Sequence, residues 1–136
     1  MKNDLDTPDE TMCDRLIPWG WNGAWAATAA SHGAPPLLPG RVIRHVHHHY
    51  QIVTPETSDP MWAEVSGAFS YRAADSADYP TVGDWVLHAP GGQIQTLLPR
   101  NSAISRHAAG DETREQVIAA NIDVVYLVFG LDGGRN

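Results

Sequence analysis

The segment His45-Val46-His47-His48-His49 concentrates four imidazoles in one short stretch of the chain. On an extended strand alternate residues share a face, so His45, His47 and His49 would project together, and three imidazoles can hold Zn²⁺ or Ni²⁺. Glu56 or Glu64 and His88 are candidates to complete such a set. Adjacent histidines at a strand turn are also ordinary polar turn residues that contact phosphate when charged. The cluster by itself does not specify a metal. Ser102 or Ser105 with His107 and Asp111 offers a Ser-His-Asp set on paper, but none of these serines sits in a nucleophile elbow. A phosphate-binding loop of the GxxxxGK[ST] kind needs a lysine behind its glycines. The only lysine is Lys2, and Gly91-Gly92 and Gly133-Gly134 read as turn glycines. GTP hydrolysis is therefore not expected of this chain, and no residue is assigned a catalytic or metal-binding role.

The remaining chemistry lies in the arginines. A net charge of −7 over 136 residues argues against an anionic partner until its distribution is examined. Acidic residues fall in three blocks, 1–14, 56–84 and 111–132, and the stretches 31–55 and 85–110 contain neither Asp nor Glu. These two stretches hold Arg41, Arg44, Arg100 and Arg106, and also every histidine: His32, His45, His47, His48, His49, His88 and His107. Folded side by side, they would give an acidic protein one basic, partly pH-sensitive face. Arginine suits phosphate as a planar bidentate donor, and histidine adds weaker contacts. Arg41, Arg44, His47, His48, His49, Arg100, Arg106 and His107 are accordingly the candidate RNA-binding residues.

Such residues need a scaffold, and the period of the sequence supplies one. Residues 1–15 read as a loose acidic tail. Asn22 can cap a short alanine-rich helix that Gly33 ends, with Trp21 and Trp25 one turn apart as packing anchors. Pro35-Pro36 and Pro39-Gly40 form a stiff connector. From Arg41 the period becomes two. Strand candidates run over Arg41–Val46, Tyr50–Val53, Met61–Ser66, Gly83–His88 and Gln93–Leu98, with a polar loop over 70–81. Five short strands in so few residues suit a small closed barrel of the oligonucleotide-binding (OB) kind, whose first and fourth hairpin loops flank the ligand face. Glu112–Asn121 reads as a short helix or turn. Asp123–Gly130 is a nearly continuous apolar run, the pattern of a strand buried on both faces of a parallel sheet. Too few residues follow it to build such a sheet.

The composition is globular, with 43% hydrophobic residues and five tryptophans. No apolar run is long enough to span a bilayer, and the acidic start lacks the apolar core of a secretory signal. The single cysteine, Cys13, has no internal partner, which fits a reducing cytoplasm.

Several stretches resemble the ribosome small-subunit-dependent GTPase A family, circularly permuted bacterial GTPases of late small-subunit maturation. They are Gly40-Arg41-Val42-Ile43-Arg44, Ala63-Glu64-Val65-Ser66-Gly67, Tyr79-Pro80-Thr81-Val82-Gly83-Asp84-Trp85-Val86, residues 98–110 from Leu98-Pro99-Arg100 to Ala109-Gly110, and residues 115–123 from Glu115-Gln116-Val117 to Ile122-Asp123. The resemblance runs from about Leu16 to the end. It implies an OB barrel preceding a GTPase domain and a zinc-binding module, with the barrel helping to dock on the small subunit. It also implies that 121–129 leads into the GTPase domain, beyond which all nucleotide motifs lie. GTP, Mg²⁺ and Zn²⁺ are thus implied for a full-length relative and for no residue here. His107 and Asn101 stand where family members often carry Lys or Arg, so the basic face is weaker here.

The expected fold is all-β: a five-stranded OB-fold barrel with a short N-terminal helical extension and an unpaired C-terminal strand. Its expected divisions are a flexible acidic tail (1–15), the helical extension and connector (16–39), the barrel (40–110), and a linker with the first strand of a GTPase domain (111–136). The expected partners are the small ribosomal subunit and its rRNA, with no DNA and no membrane, for a cytoplasmic monomer. The alternative is a small histidine-ligated metalloenzyme with a cupin-like barrel. The cupin pattern expects its Pro-x-Gly before the last histidine, whereas Pro90 and Gly91 follow His88.

Overall fold

A computed structural model describes residues 12–33, 36–107, 110 and 115–131. Residues 1–11 of the acidic tail, Pro35 and Asp111 lie outside it. Five strands close a barrel: β1 (Leu38–Val46), β2 (His49–Val53), β3 (Met61–Val65), β4 (Trp85–Ala89) and β5 (Gln93–Leu97), in the order β1-β2-β3-β5-β4. All neighbours are antiparallel except β3 and β5, which run parallel, and the first half of β1 pairs with β4 to close the ring. Closure leaves the barrel no free edge. The expected barrel strands are all present, and β1 starts earlier than expected, at Leu38.

Two apolar clusters explain why β4 is buried on both faces. Val86 points into the barrel with Val42, Tyr50, Ile52, Ala63, Phe69 and Ile94. Trp85 and Leu87 point the other way, onto Leu16, Trp25, Val53 and Leu98. That outer cluster lies beneath a 3₁₀ helix (Met12–Trp19) and α1 (Gly23–His32). Asn22 caps α1, its side chain accepting the Trp25 N–H at 3.0 Å. Trp21 and Trp25 both pack on Trp85, with ring centroids 4.9 and 6.0 Å away. They are the packing anchors their spacing suggests.

Two expectations are corrected. The 70–81 region is not a plain loop. It contains the end of α2 (Gly67–Arg72), capped by Ser66, and a 3₁₀ turn (Ser76–Asp78), and Phe69 of α2 enters the barrel core. Glu115–Ala120 is neither helix nor turn but a strand, β7, antiparallel to β6 (Ala103–His107) in a separate two-stranded sheet. Good helix formers such as Glu, Gln and Ala are overruled there by a partner strand. Where an unpaired C-terminal strand was expected, residues 122–131 form no sheet ladder among the described residues, and residues 124–129 are exposed.

Candidate nucleic-acid interface

Of the four candidate arginines, two are committed inside the fold. Arg41 donates from Nε to the Gly83 carbonyl at 3.1 Å and from its two terminal nitrogens to the carbonyls of Asn121, at 3.0 Å, and Trp19. Its guanidinium also lies over Trp85, 5.5 Å from the ring centroid. Burial draws its pKa below the ordinary arginine value, opposed by the charges of Asp123 and Asp84. Arg100 makes a bidentate pair with the fully buried Asp84, at 2.9 and 2.8 Å, and donates to the Ala77 and Tyr79 carbonyls. The hydrogen bonds to Asp84 raise its pKa, against the opposing effect of burial. Arg41 and Arg100, expected among the RNA-binding residues, thus have their guanidinium donors engaged inside the fold, as part-buried charges require.

Arg44 and the imidazoles of His45, His47, His48 and His49 lie exposed on the β1–β2 hairpin. Val46 pairs with His49, leaving His47-His48 as a two-residue turn. His47 adopts φ +53, a left-handed conformation that costs a side chain roughly 1 kcal/mol or more. This turn interrupts the alternation that would align three imidazoles. The His45 ring stacks on Tyr50 and bonds the His47 carbonyl at 2.6 Å, while His49 Nδ1 meets Glu64 Oε1 at 3.1 Å. Among the described residues no group of three His, Cys, Asp or Glu side chains is arranged to hold a metal. The metal groups implied by the resemblance therefore find no fit there, and for GTP the sequence offers no glycine loop followed by lysine. Arg44 is exposed on β1, its guanidinium 5.9 Å from the Trp62 ring centroid.

Arg106 and His107 stand exposed on β6, in the two-stranded sheet rather than on the barrel. Arg106 Nε is 3.4 Å from Gln116 Oε1. Ser102 does not act as a nucleophile pair with His107: its hydroxyl accepts the Ile122 N–H at 2.9 Å and reaches the Ile122 carbonyl at 3.3 Å. His88, a candidate metal ligand by sequence, is fully buried. Its Nδ1 lies 2.8 Å from the Ala89 carbonyl, which can only accept, so Nδ1 carries the proton and Nε2 accepts from the Thr54 hydroxyl at 2.7 Å. Burial lowers its pKa, partly opposed by the Ala89 carbonyl and by Glu56, whose Oε2 is 3.9 Å away.

Two features escaped the sequence reading. The Asp84–Arg100 pair spans sixteen positions and joins two segments that only the barrel brings together. The other is the exposure of Trp62 on the outer face of β3, which its alternation with the buried Ala63 could have signalled.

A closed five-stranded barrel in the order 1-2-3-5-4, with a helix between β3 and β4 and a cationic β1–β2 turn, defines an OB-fold module. No protein-family model matches the chain. It is, however, homologous to proteins named small ribosomal subunit biogenesis GTPase RsgA, matching their N-terminal portion. The relative from Xanthomonas euvesicatoria pv. vesicatoria is 40% identical over 137 positions, and that from Xanthomonas campestris pv. campestris (strain B100) is 42% identical over 137 positions. Each match covers 96% of this chain and 36% of the relative. The relative from Xanthomonas oryzae pv. oryzae (strain PXO99A) is 42% identical over 126 positions, 88% of this chain and 33% of the relative. The chain thus spans about a third of the length of the curated relatives it matches.

Proposed function

We propose that this chain is the rRNA-docking barrel of a small-ribosomal-subunit maturation GTPase, and that it catalyses nothing by itself. The observation that carries this reading is the exposed β1–β2 end of the barrel, where Arg44 stands beside His47, His48 and His49, imidazoles that contact phosphate when charged, in a chain similar to biogenesis GTPases. Arg106 and His107 extend the cationic set on β6. Arg41 and Arg100 support the site indirectly, by fixing the elements beneath it. The chain acts on this reading as a cytoplasmic monomer, and among the described residues no helix is long and apolar enough to cross a membrane.

Co-sedimentation with purified small ribosomal subunits at low and moderate salt tests this. The chain is expected to bind, less tightly as salt rises, because each phosphate contact releases counterions. Joint replacement of Arg44, His47, His48, His49, Arg106 and His107 by alanine is expected to abolish binding and leave thermal stability nearly unchanged. Absence of binding by the unaltered chain at either salt would overturn the proposal.

A further inference from the structure

The outer face of β1, β2 and β3 is organised in lateral rows. Arg44 of β1 stands opposite Gln51 of β2, and Gln51 stands opposite Trp62 of β3. Directly opposed residues of antiparallel strands share a face, with Cβ atoms roughly 5 Å apart. The next row toward the turn holds Val46, His49 and Glu64, with His49 Nδ1 3.1 Å from Glu64 Oε1.

Trp62 is 47% exposed and belongs to neither apolar cluster, so it adds little to the fold. It presents a large flat ring to solvent with a guanidinium 5.9 Å from its centroid. Both groups stack on nucleobases, and the amide of Gln51 between them can both donate to and accept from a base edge. Glu64, the carboxylate two residues along β3 on the same face, is engaged by His49.

The geometry points to a base-stacking platform: the Arg44–Gln51–Trp62 row receives an unpaired nucleobase of single-stranded RNA, stacked on Trp62, with Gln51 at its edge. This rests on the proposed rRNA docking and narrows it. In duplex RNA the base faces are hidden within the stack, so the partner is a loop, bulge or end. The exposed cations then supply phosphate affinity, and Trp62 supplies the preference for open strands.

The test is fluorescence anisotropy of the full chain with a short labelled single-stranded RNA, the same strand carrying abasic positions, and its duplex. The chain is expected to prefer the intact single strand to both others. Trp62→Leu is expected to lose about tenfold in affinity for the intact strand, the value of one base stacked on an aromatic ring. Its salt dependence should not change, because no phosphate contact is removed. Trp62→Phe is expected to retain most of the affinity. If the chain binds the intact and abasic strands equally, or if Trp62→Leu binds as the unaltered chain does, the platform is wrong. Failure of the unaltered chain to bind the single strand overturns it as well. Co-sedimentation with small subunits separates the two readings. Subunit binding untouched by Trp62→Leu removes the platform alone. Trp62-dependent strand binding without subunit binding removes the ribosomal docking and leaves the platform.

Discussion

Asp84 has no exposed surface, and Arg100 holds it by two hydrogen bonds while Thr81 N–H supplies a third at 2.8 Å. Removing Arg100 would strand a buried charge, at a cost of roughly 3–5 kcal/mol. Any loss of RNA binding on its removal would therefore report unfolding rather than a lost contact. His88 poses the other kind of buried titratable group, one kept neutral. Folding depresses its pKa below the ordinary 6.5, so the unfolded chain takes up a proton more readily than the folded one. Its contribution to stability is fully present above about pH 6.5 and is lost as pH falls through that value toward the folded pKa. The urea midpoint is expected to fall between about pH 7.5 and about pH 5.5, and His88→Gln is expected to flatten that dependence. An identical pH slope in His88→Gln would show that the imidazole is not its source.

At the scale of elements, most barrel strands were legible because buried and exposed positions alternate, as Ala63 does between Trp62 and Glu64, and β4 because it is a short apolar run between turns. α1 was legible from Asn22 and Gly33. α2 was not, since six residues are too few for a helical period to show. β7 was hidden because its composition favours helix. Of the candidate site, Arg44 and the histidine turn could be read from type and spacing. The internal commitment of Arg41 and Arg100 could not, because their carbonyl and carboxylate partners are far away in the chain. The joint between barrel and hairpin rests on Gly83, whose carbonyl accepts from Arg41 and from the Asn121 amide. Gly83 has φ +95, and an added Cβ would lie 1.9 Å from the Ala120 carbonyl oxygen. Gly83→Ala is expected to destabilise the protein by about 2 kcal/mol or more, through strain and displacement of β7. Hydrogen exchange at Val117–Ala120 should accelerate before that of the barrel. Unchanged protection there would mean that β7 does not depend on this close approach.

For the whole molecule the opposing features are charge and apolar exposure. A net charge of −7 keeps copies apart, and the cationic turn is local enough to act within it. Residues 124–129, Val-Val-Tyr-Leu-Val-Phe, oppose this: every side chain is more than half exposed, and the run has no charge and no proline. An exposed segment of β-branched and aromatic residues that joins no sheet ladder among the described residues is a template for pairing with its own copy. The negative charges lie largely on other segments, so mutual repulsion weakens at short range where salt screens it. Concentration-dependent self-association is therefore expected by sedimentation velocity, stronger at high salt. Val125→Lys with Leu127→Lys is expected to restore a monomer. It should leave the unfolding free energy from urea titration within about 0.5 kcal/mol, because these side chains are exposed. A monomer at all concentrations, or amides of 124–129 protected from exchange within a monomer, would show that the segment is already covered. RNA docking by single copies requires that covering or low concentration, so association and RNA binding should be measured on the same preparation. Competition between them would place the segment close to the docking face, and independence would place it apart.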